Sequence, residues 1–167
     1  MADIDDRGRD DRGAREADRV RLVVAGPDGW GVGAFEAAVA ASRYCHRIVR
    51  TGWVDDGARA DLLAGASVLA YPSLYEGFGL PPLEAMTVGV PVVCSDAGPL
   101  PEVVGDAARL VPTADPDALA EALVEVLGDE AVRTRLAAAG PVHAAGFRWD
   151  RCVDGLSGLY RRILAVG

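Results

Sequence analysis

Short apolar runs that alternate with stretches of helical periodicity constrain this chain more than any other feature. The runs are 20–25 (VRLVVA), 47–51 (RIVRT), 67–71 (SVLAY), 90–94 (VPVVC) and 108–111 (ARLV). Several of them end at Gly, Pro or Ser, which is how parallel strands buried on both faces read. Helical stretches lie between and after them. Residues 34–45 put Phe35, Ala38, Val39 and Ser42 on one face, and 57–65 turn Leu62 and Leu63 inward. A short helix is expected over 82–88, after a Gly/Pro-rich loop. Residues 116–127 carry end signals: Asp115 as N-cap, Pro116 in the first helical position and Gly128 as the stop. Another helix is expected over 129–139, stopped by Gly140. Residues 149–164 set Trp149, Val153, Leu156, Tyr160, Ile163 and Leu164 on one stripe. Strands alternating with helices mean an α/β fold, a Rossmann-like doubly wound parallel sheet. Such folds bind ligands at the carboxyl ends of their strands, so the loops after the strands are where chemistry is to be sought.

Composition narrows the function classes. With 167 residues, half of them apolar, the chain suits one domain with a core of Ala, Val and Leu. Its net charge of −8 argues against nucleic acid as a partner and against an anionic membrane surface. Residues 1–19 carry seven acids and five arginines with almost nothing to bury. They read as a disordered charged tail ahead of a domain over 20–167. Cys45, Cys94 and Cys152 are an odd, widely spaced set, neither a disulfide framework nor a zinc cluster. Buried free thiols in a reducing cytoplasm are the expectation. No apolar run approaches the roughly 20 residues of a membrane helix, and the amino terminus lacks a signal-peptide core.

One segment concentrates the chemistry: Pro72-Ser73-Leu74-Tyr75-Glu76-Gly77-Phe78-Gly79-Leu80-Pro81-Pro82-Leu83-Glu84-Ala85-Met86. It follows a strand and opens a helix. Gly77 and Gly79 allow close approach of the backbone to a ligand and unusual dihedrals. Pro81 and Pro82 suit a helix start, and a helix amino terminus presents N–H donors and a positive dipole end to phosphate. Glu76 and Glu84 frame the loop. A carboxylate accepts two hydroxyl donors at once, as the vicinal diol of a ribose supplies. Donors for phosphate with acceptors for hydroxyls at either end suit a sugar–diphosphate–ribose ligand. A Gly/Pro-rich strand-to-helix loop is also often only a turn, and a lone Glu on a short helix is usually solvated. Spacing alone leaves both open.

The same segment resembles the Glu-x7-Glu motif of retaining GT-B glycosyltransferases of family 4, the group 1 glycosyl transferases. Glu76 and Glu84 match its two acids, with Gly77-Phe78-Gly79-Leu80 between them. Gly89-Val90-Pro91-Val92-Val93 is similar to the strand that follows, and Leu100-Pro101-Glu102-Val103-Val104-Gly105-Asp106 resembles the next loop and turn. Upstream, Thr51-Gly52-Trp53-Val54 resembles the strand end that meets the nucleobase, and Leu62-Leu63 with Ala66 the helix after it. The likeness runs from about residue 20 to the end, and several ordered signatures agree.

The resemblance implies the carboxyl-terminal, nucleotide-sugar-binding half of a GT-B fold. Within it Glu76 is the catalytic carboxylate, contacting hydroxyls of the transferred sugar, and Glu84 accepts from the ribose hydroxyls. Gly77 and the backbone of Phe78, Gly79 and Leu80 bind the sugar and diphosphate, while Gly52 and Val54 meet the base. The implied reaction moves a sugar from a UDP-, GDP- or ADP-linked donor to an acceptor hydroxyl with retention. No metal or other cofactor is implied, since cations and backbone donors stabilise the diphosphate.

The chain departs from the family in two ways. There is room for one domain, so an acceptor domain would come from a separate chain. The family's opening strand and Arg/Lys pair are also expected before Val20. All 17 basic residues here are Arg, so the Lys of that pair is absent. Without a first strand, strands 20–25 and 67–71 lose a shared neighbour. The alternative reading is therefore a non-catalytic nucleotide-sugar-binding module, or a truncated remnant. In the family the last helix crosses to the other domain, so the stripe of 149–164 either lacks its partner surface here or packs on its own sheet. His46 and His143 stand alone and read as surface or satisfied histidines. Ser73 lacks a Gly-x-Ser-x-Gly context. Residues 26–33 read as a loop lining the cleft, and Asp96 and Glu102 as loop caps or cleft residues.

Overall fold

The computed structural model describes residues 20–29 and 31–165. The tail expected over 1–19 lies outside the described residues. The chain divides into two compact units, Met1–Arg59 and Ala60–Gly167.

The first unit holds β1 (Leu22–Ala25), α1 (Val32–Ala41) and β2 (Ile48–Gly52). β1 and β2 pair in parallel, Leu22 opposite Ile48 and Val24 opposite Arg50, with a register shift before Ala25. α1 ends before the expected Cys45. Ser42 turns extended, and its Oγ accepts from the Tyr44 N–H at 3.1 Å. A serine that bonds the backbone two residues on competes with the helix. The chain passes instead through a 3-10 turn at Cys45–Arg47. No described residue between 20 and 59 is buried.

The boundary between the units falls within α2 (Asp56–Ala64). The second unit contains β3 (Leu69–Tyr71), β4 (Val92–Ser95) and β5 (Arg109–Val111), parallel and in that order. Two ladders, not one five-stranded sheet, hold the described strands. β4 is central and wholly buried, so Cys94 is buried as expected, whereas Cys45 and Cys152 are exposed, against expectation. Alternate residues of a strand face opposite ways, and β4 feeds a separate core on each side. Val92 and Cys94 join Leu83, Met86, Leu100 and Val104. Val93 joins Val111, Ala122, Val126 and Leu136. Each large apolar side chain so buried contributes roughly 1.5–3 kcal/mol.

Helices α3 (Leu80–Thr87), α4 (Leu100–Val104), α5 (Pro116–Gly128), α6 (Glu130–Ala144) and α7 (Trp149–Leu164) complete the unit. Asp115 caps α5 as expected, its Oδ1 accepting from the Ala118 N–H at 2.9 Å. Two expected stops are corrected. Gly128 stays inside the last turn of α5, and Asp129 takes over, ending α5 and capping α6 through Ala131 N–H at 2.8 Å. α6 also runs through Gly140 to Ala144. Gly140 serves packing: a Cβ there would lie 3.2 Å from Met86 Cα, so the missing side chain lets α6 approach α3 closely. The short helix α4 stands where a loop and turn were expected. Of the two readings of the 149–164 stripe, packing on its own sheet fails. α7 has no buried residue, and Trp149 and Leu164 are 82% and 80% exposed. Among the described residues no helix is long and apolar enough to cross a membrane.

Candidate functional site

In the second unit the loops after β3 and β4 meet. The β3 loop, Pro72 to Gly79, leads into α3. Gly79 caps that helix in the left-handed region at φ +103°, is buried, and lies so close to Leu100 that a Cβ would meet Leu100 Cδ2 at 2.5 Å. Conformation and space both demand glycine here. From the β4 loop, Gly98 at φ +53° comes up under Glu76, where a Cβ would sit 3.3 Å from the Glu76 carbonyl oxygen.

Glu76 is half-buried and held by its side chain as well. Its Oε1 accepts from the Tyr71 hydroxyl and from Ser73 Oγ, each at 2.6 Å. Ser95, buried at the end of β4, donates its hydroxyl to the Ser73 carbonyl. Burial, and then the bond to Glu76, push the Tyr71 phenol up to about 12. Tyr71 therefore stays a protonated donor at ordinary pH.

The start of α3 is a narrower anion cradle than a helix end normally offers. Pro81 and Pro82 carry no N–H, so the backbone donors of this end stop at Leu80. What remains is the run Gly77, Phe78, Gly79 and Leu80, together with the positive end of the helix dipole. Phe78 is seated edge-on against Phe147 at 6.1 Å between centroids, and Phe147 rests on His143 at 5.4 Å. His143 in turn bonds the Val103 carbonyl oxygen through Nε2 at 2.7 Å. It is a satisfied structural histidine, as expected. Glu84, one α3 turn beyond the cradle, is half-buried, and its Oε2 is shut off from solvent. A cavity of about 170 Å³ opens at the carboxyl ends of these strands, with Pro72, Ser95, Val111 and Pro112 in its wall.

The remaining expected residues belong to the first unit. Gly52 ends β2 at φ +67°, and its carbonyl accepts from the Gly26 N–H at 2.8 Å. Val54, two residues on, is half-buried. Gly52 and the glycine-rich loop after β1 line a cavity of about 210 Å³ with Phe35 and Arg50. Arg50 is held there by Asp28 and by Glu36, the latter at 2.8 Å, and lies 5.5 Å from the Phe35 ring centre.

Asp96 acts as a loop cap. Its Oδ1 accepts from Thr113 N–H at 2.8 Å and Thr113 Oγ1 at 2.7 Å, which holds the carboxyl below the usual carboxylate range. Glu102 is exposed on α4. Sequence reasoning passed over Tyr71, Ser95 and Gly98. The available signal was position: Tyr71 and Ser95 are the last residues of adjacent strands, and Gly98 lies in the loop after the second of them.

Comparison with known proteins bears on the family and the fold. The chain is 38% identical over 143 residues to the O-antigen chain mannosyltransferase B of Escherichia coli, covering 86% of this chain and 38% of that protein. It is 42% identical over 116 residues to the MMP alpha-(1->4)-mannosyltransferase of Mycolicibacterium hassiacum, covering 67% of this chain and 28% of that protein. The chain thus spans well under half the length of these curated relatives. Among solved structures, sucrose-phosphate synthase from Thermosynechococcus elongatus superposes with a TM-score of 0.77 at 29% identity, over 93% of this chain and 42% of that one. The Anabaena protein HepE in complex with UDP-glucose shares the fold at a TM-score of 0.70 and 23% identity, over 77% of this chain and 36% of that one. The model of the family described as glycosyl transferases group 1 matches residues 11–129, and the chain belongs to that family.

Proposed function

We propose that this chain is the donor-binding half of a glycosyltransferase and that it works with an acceptor-binding domain. The observation that carries this reading is the loop from Glu76 to Leu80. A fixed carboxylate stands at one end of it, and backbone N–H groups at the amino terminus of α3 stand at the other. In this reading the N–H groups of Phe78, Gly79 and Leu80 take the diphosphate. They stabilise the negative charge that develops as the bond between the anomeric carbon and the diphosphate breaks. A new bond from the anomeric carbon to the acceptor oxygen replaces it with retention, and the acceptor proton leaves with the nucleoside diphosphate. Glu76 holds a hydroxyl of the transferred sugar. Glu84 takes the ribose hydroxyls, and Gly52 and Val54 meet the base. No metal is required, because the leaving group is stabilised by fixed donors.

Relatives named as mannosyltransferases put a mannosyl donor first among the sugars to test. Neighbours solved with UDP put uridine first among the bases. The test is thermal unfolding of the chain with UDP, GDP, ADP and their sugars, with Glu84→Ala as control. A ligand at a hundred times its dissociation constant stabilises a folded protein by about 2.7 kcal/mol. A melt raised by one nucleotide, and not raised in Glu84→Ala, supports the donor site. A melt indifferent to every nucleotide sinks it for this chain.

A further inference from the structure

Glu76 is held through both its main chain and its side chain. Its main chain sits over Gly98, and two hydroxyls converge on one of its oxygens. Both bonds are short and charge-assisted, the strong kind. Both donors are themselves anchored. Tyr71 is the last residue of β3 and pairs with Cys94 of β4, and Ser73 is fastened through its carbonyl by the buried Ser95 hydroxyl. A carboxylate has about four acceptor positions, two on each oxygen. Among the described residues, Tyr71 and Ser73 fill those of Oε1, and Oε2 is left to accept from a ligand.

We infer that Tyr71, with Ser73, is a positioning residue for sugar recognition: by loading Oε1 of Glu76 the two hydroxyls present Oε2 to a hydroxyl of the transferred sugar. The inference rests on the proposed donor site and deepens it. It separates two parts of a donor's affinity. The nucleoside diphosphate binds to the backbone cradle and Glu84, which Tyr71 does not touch. The sugar binds through Glu76, whose orientation Tyr71 sets. The gain in affinity from adding the sugar to the nucleoside diphosphate therefore depends on a phenol that never meets the ligand.

The experiment is calorimetric titration of the 167-residue chain with UDP and UDP-glucose, and with GDP and GDP-mannose in parallel. It compares the wild type with Tyr71→Phe, Ser73→Ala and the double variant. Tyr71→Phe keeps the ring and its packing, so the fold is retained. For the sugar nucleotide that binds, the ratio of the nucleoside diphosphate Kd to the sugar-nucleotide Kd falls about threefold to tenfold in Tyr71→Phe, the range of one ordinary net hydrogen bond, and further in the double variant. Affinity for the free nucleoside diphosphate stays within about twofold. An unchanged ratio in Tyr71→Phe overturns the inference and leaves the donor site standing. Equal weakening of both ligands, with a lowered melting temperature, also overturns it, because the phenol would then only support the fold. Absence of binding by the wild type to all four probes overturns the donor site and the inference together.

Discussion

The two strand ladders are built from similar residues and differ completely in what covers them. β1 reads Leu-Val-Val-Ala and β4 reads Val-Val-Cys-Ser, yet β4 is buried throughout and β1 keeps Leu22 47% and Val23 44% exposed. Every buried residue of the described chain lies in the second unit. Parallel strands want both faces covered, and β4 has an apolar cluster on each. Among the described residues of the first unit, β1 and β2 have each other and a short helix without a buried position. Strand identity therefore follows from local composition, whereas burial is set by what packs around a strand.

The largest effect that separates the two units is a pair of truncations. Leu136→Ala empties a site 1% exposed among Val93, Val111, Ala122 and Val126, and should cost about 2–5 kcal/mol. Leu22→Ala removes a side chain already half in water, and should cost under about 1 kcal/mol. Urea unfolding of both variants checks this. Equal costs would mean that β1 is covered in solution and would erase the contrast.

Next comes Gly79→Ala. The methyl meets Leu100 and the backbone stands at φ +103°, so the variant should lose about 1–3 kcal/mol. Gly26→Ala, at φ +137° with nothing within 4 Å of its Cβ, carries the backbone cost without the clash and should lose less. Denaturant midpoints rank the two. If Gly26→Ala proves the worse, the first unit is packed more tightly than its exposure indicates.

The same contrast explains what the sequence made legible. The five strands appeared at their places because short apolar runs bounded by Gly, Pro or Ser are a local signal. Asp115 was recognisable as a cap for the same reason. Gly140 was misjudged because it reads as a stop, while its role depends on Met86, 54 positions away in the chain. Likewise Ser42 reads as a helical-face residue until its hydroxyl is seen to accept from Tyr44. The framing acids Glu76 and Glu84 were visible as a motif. The hydroxyls of Tyr71 and Ser73 that fix Glu76 were not, because their convergence depends on how the loop folds, and the Ser95 anchor of Ser73 depends on β3 and β4 lying side by side. The exposure of the Trp149–Leu164 stripe was equally hidden, since periodicity shows that a face is apolar and says nothing of what meets it.

A smaller effect lies in alkaline solution. Tyr71 is pushed up to about 12 and Cys94, by burial, to about 11, both in the second unit. A folded-state value raised above the unfolded one contributes stability that is complete below the unfolded value and is lost as pH rises through the folded one. Stability should therefore fall from about pH 9 toward 12, the unfolded thiol releasing its proton first and the unfolded phenol next. Tyr71→Phe should flatten the upper part of that fall and remove the tyrosinate absorbance component that titrates at about 12. Among the described residues of the first unit the shifted group is Arg50, raised by Glu36 first and by Asp28, and it stays charged across the whole range. If alkaline unfolding is unchanged in Tyr71→Phe, the phenol is not raised by burial and by Glu76 together.

The smallest expected effect is at the acid end. Asp96 is lowered by its bonds to Thr113, and Asp150 by its pairing with Arg148. For a depressed carboxyl, the stabilisation is present above the unfolded value of about 3.9 and disappears as pH falls through the folded one. Both groups are exposed, so both contributions are screened. They differ in what they hold. Asp96 ties the end of β4 to the turn after β5 through two bonds, whereas Asp150 pairs with a neighbour two residues away on exposed α7. Asp96→Asn should therefore make the acid limb below about pH 4 shallower and lower stability slightly at neutral pH, and Asp150→Asn should leave the unfolding curve almost unchanged. The reverse ranking in acid titrations followed by circular dichroism would mean that α7 is ordered against the rest of its unit, and that its apolar stripe contributes more to the fold than its exposure shows.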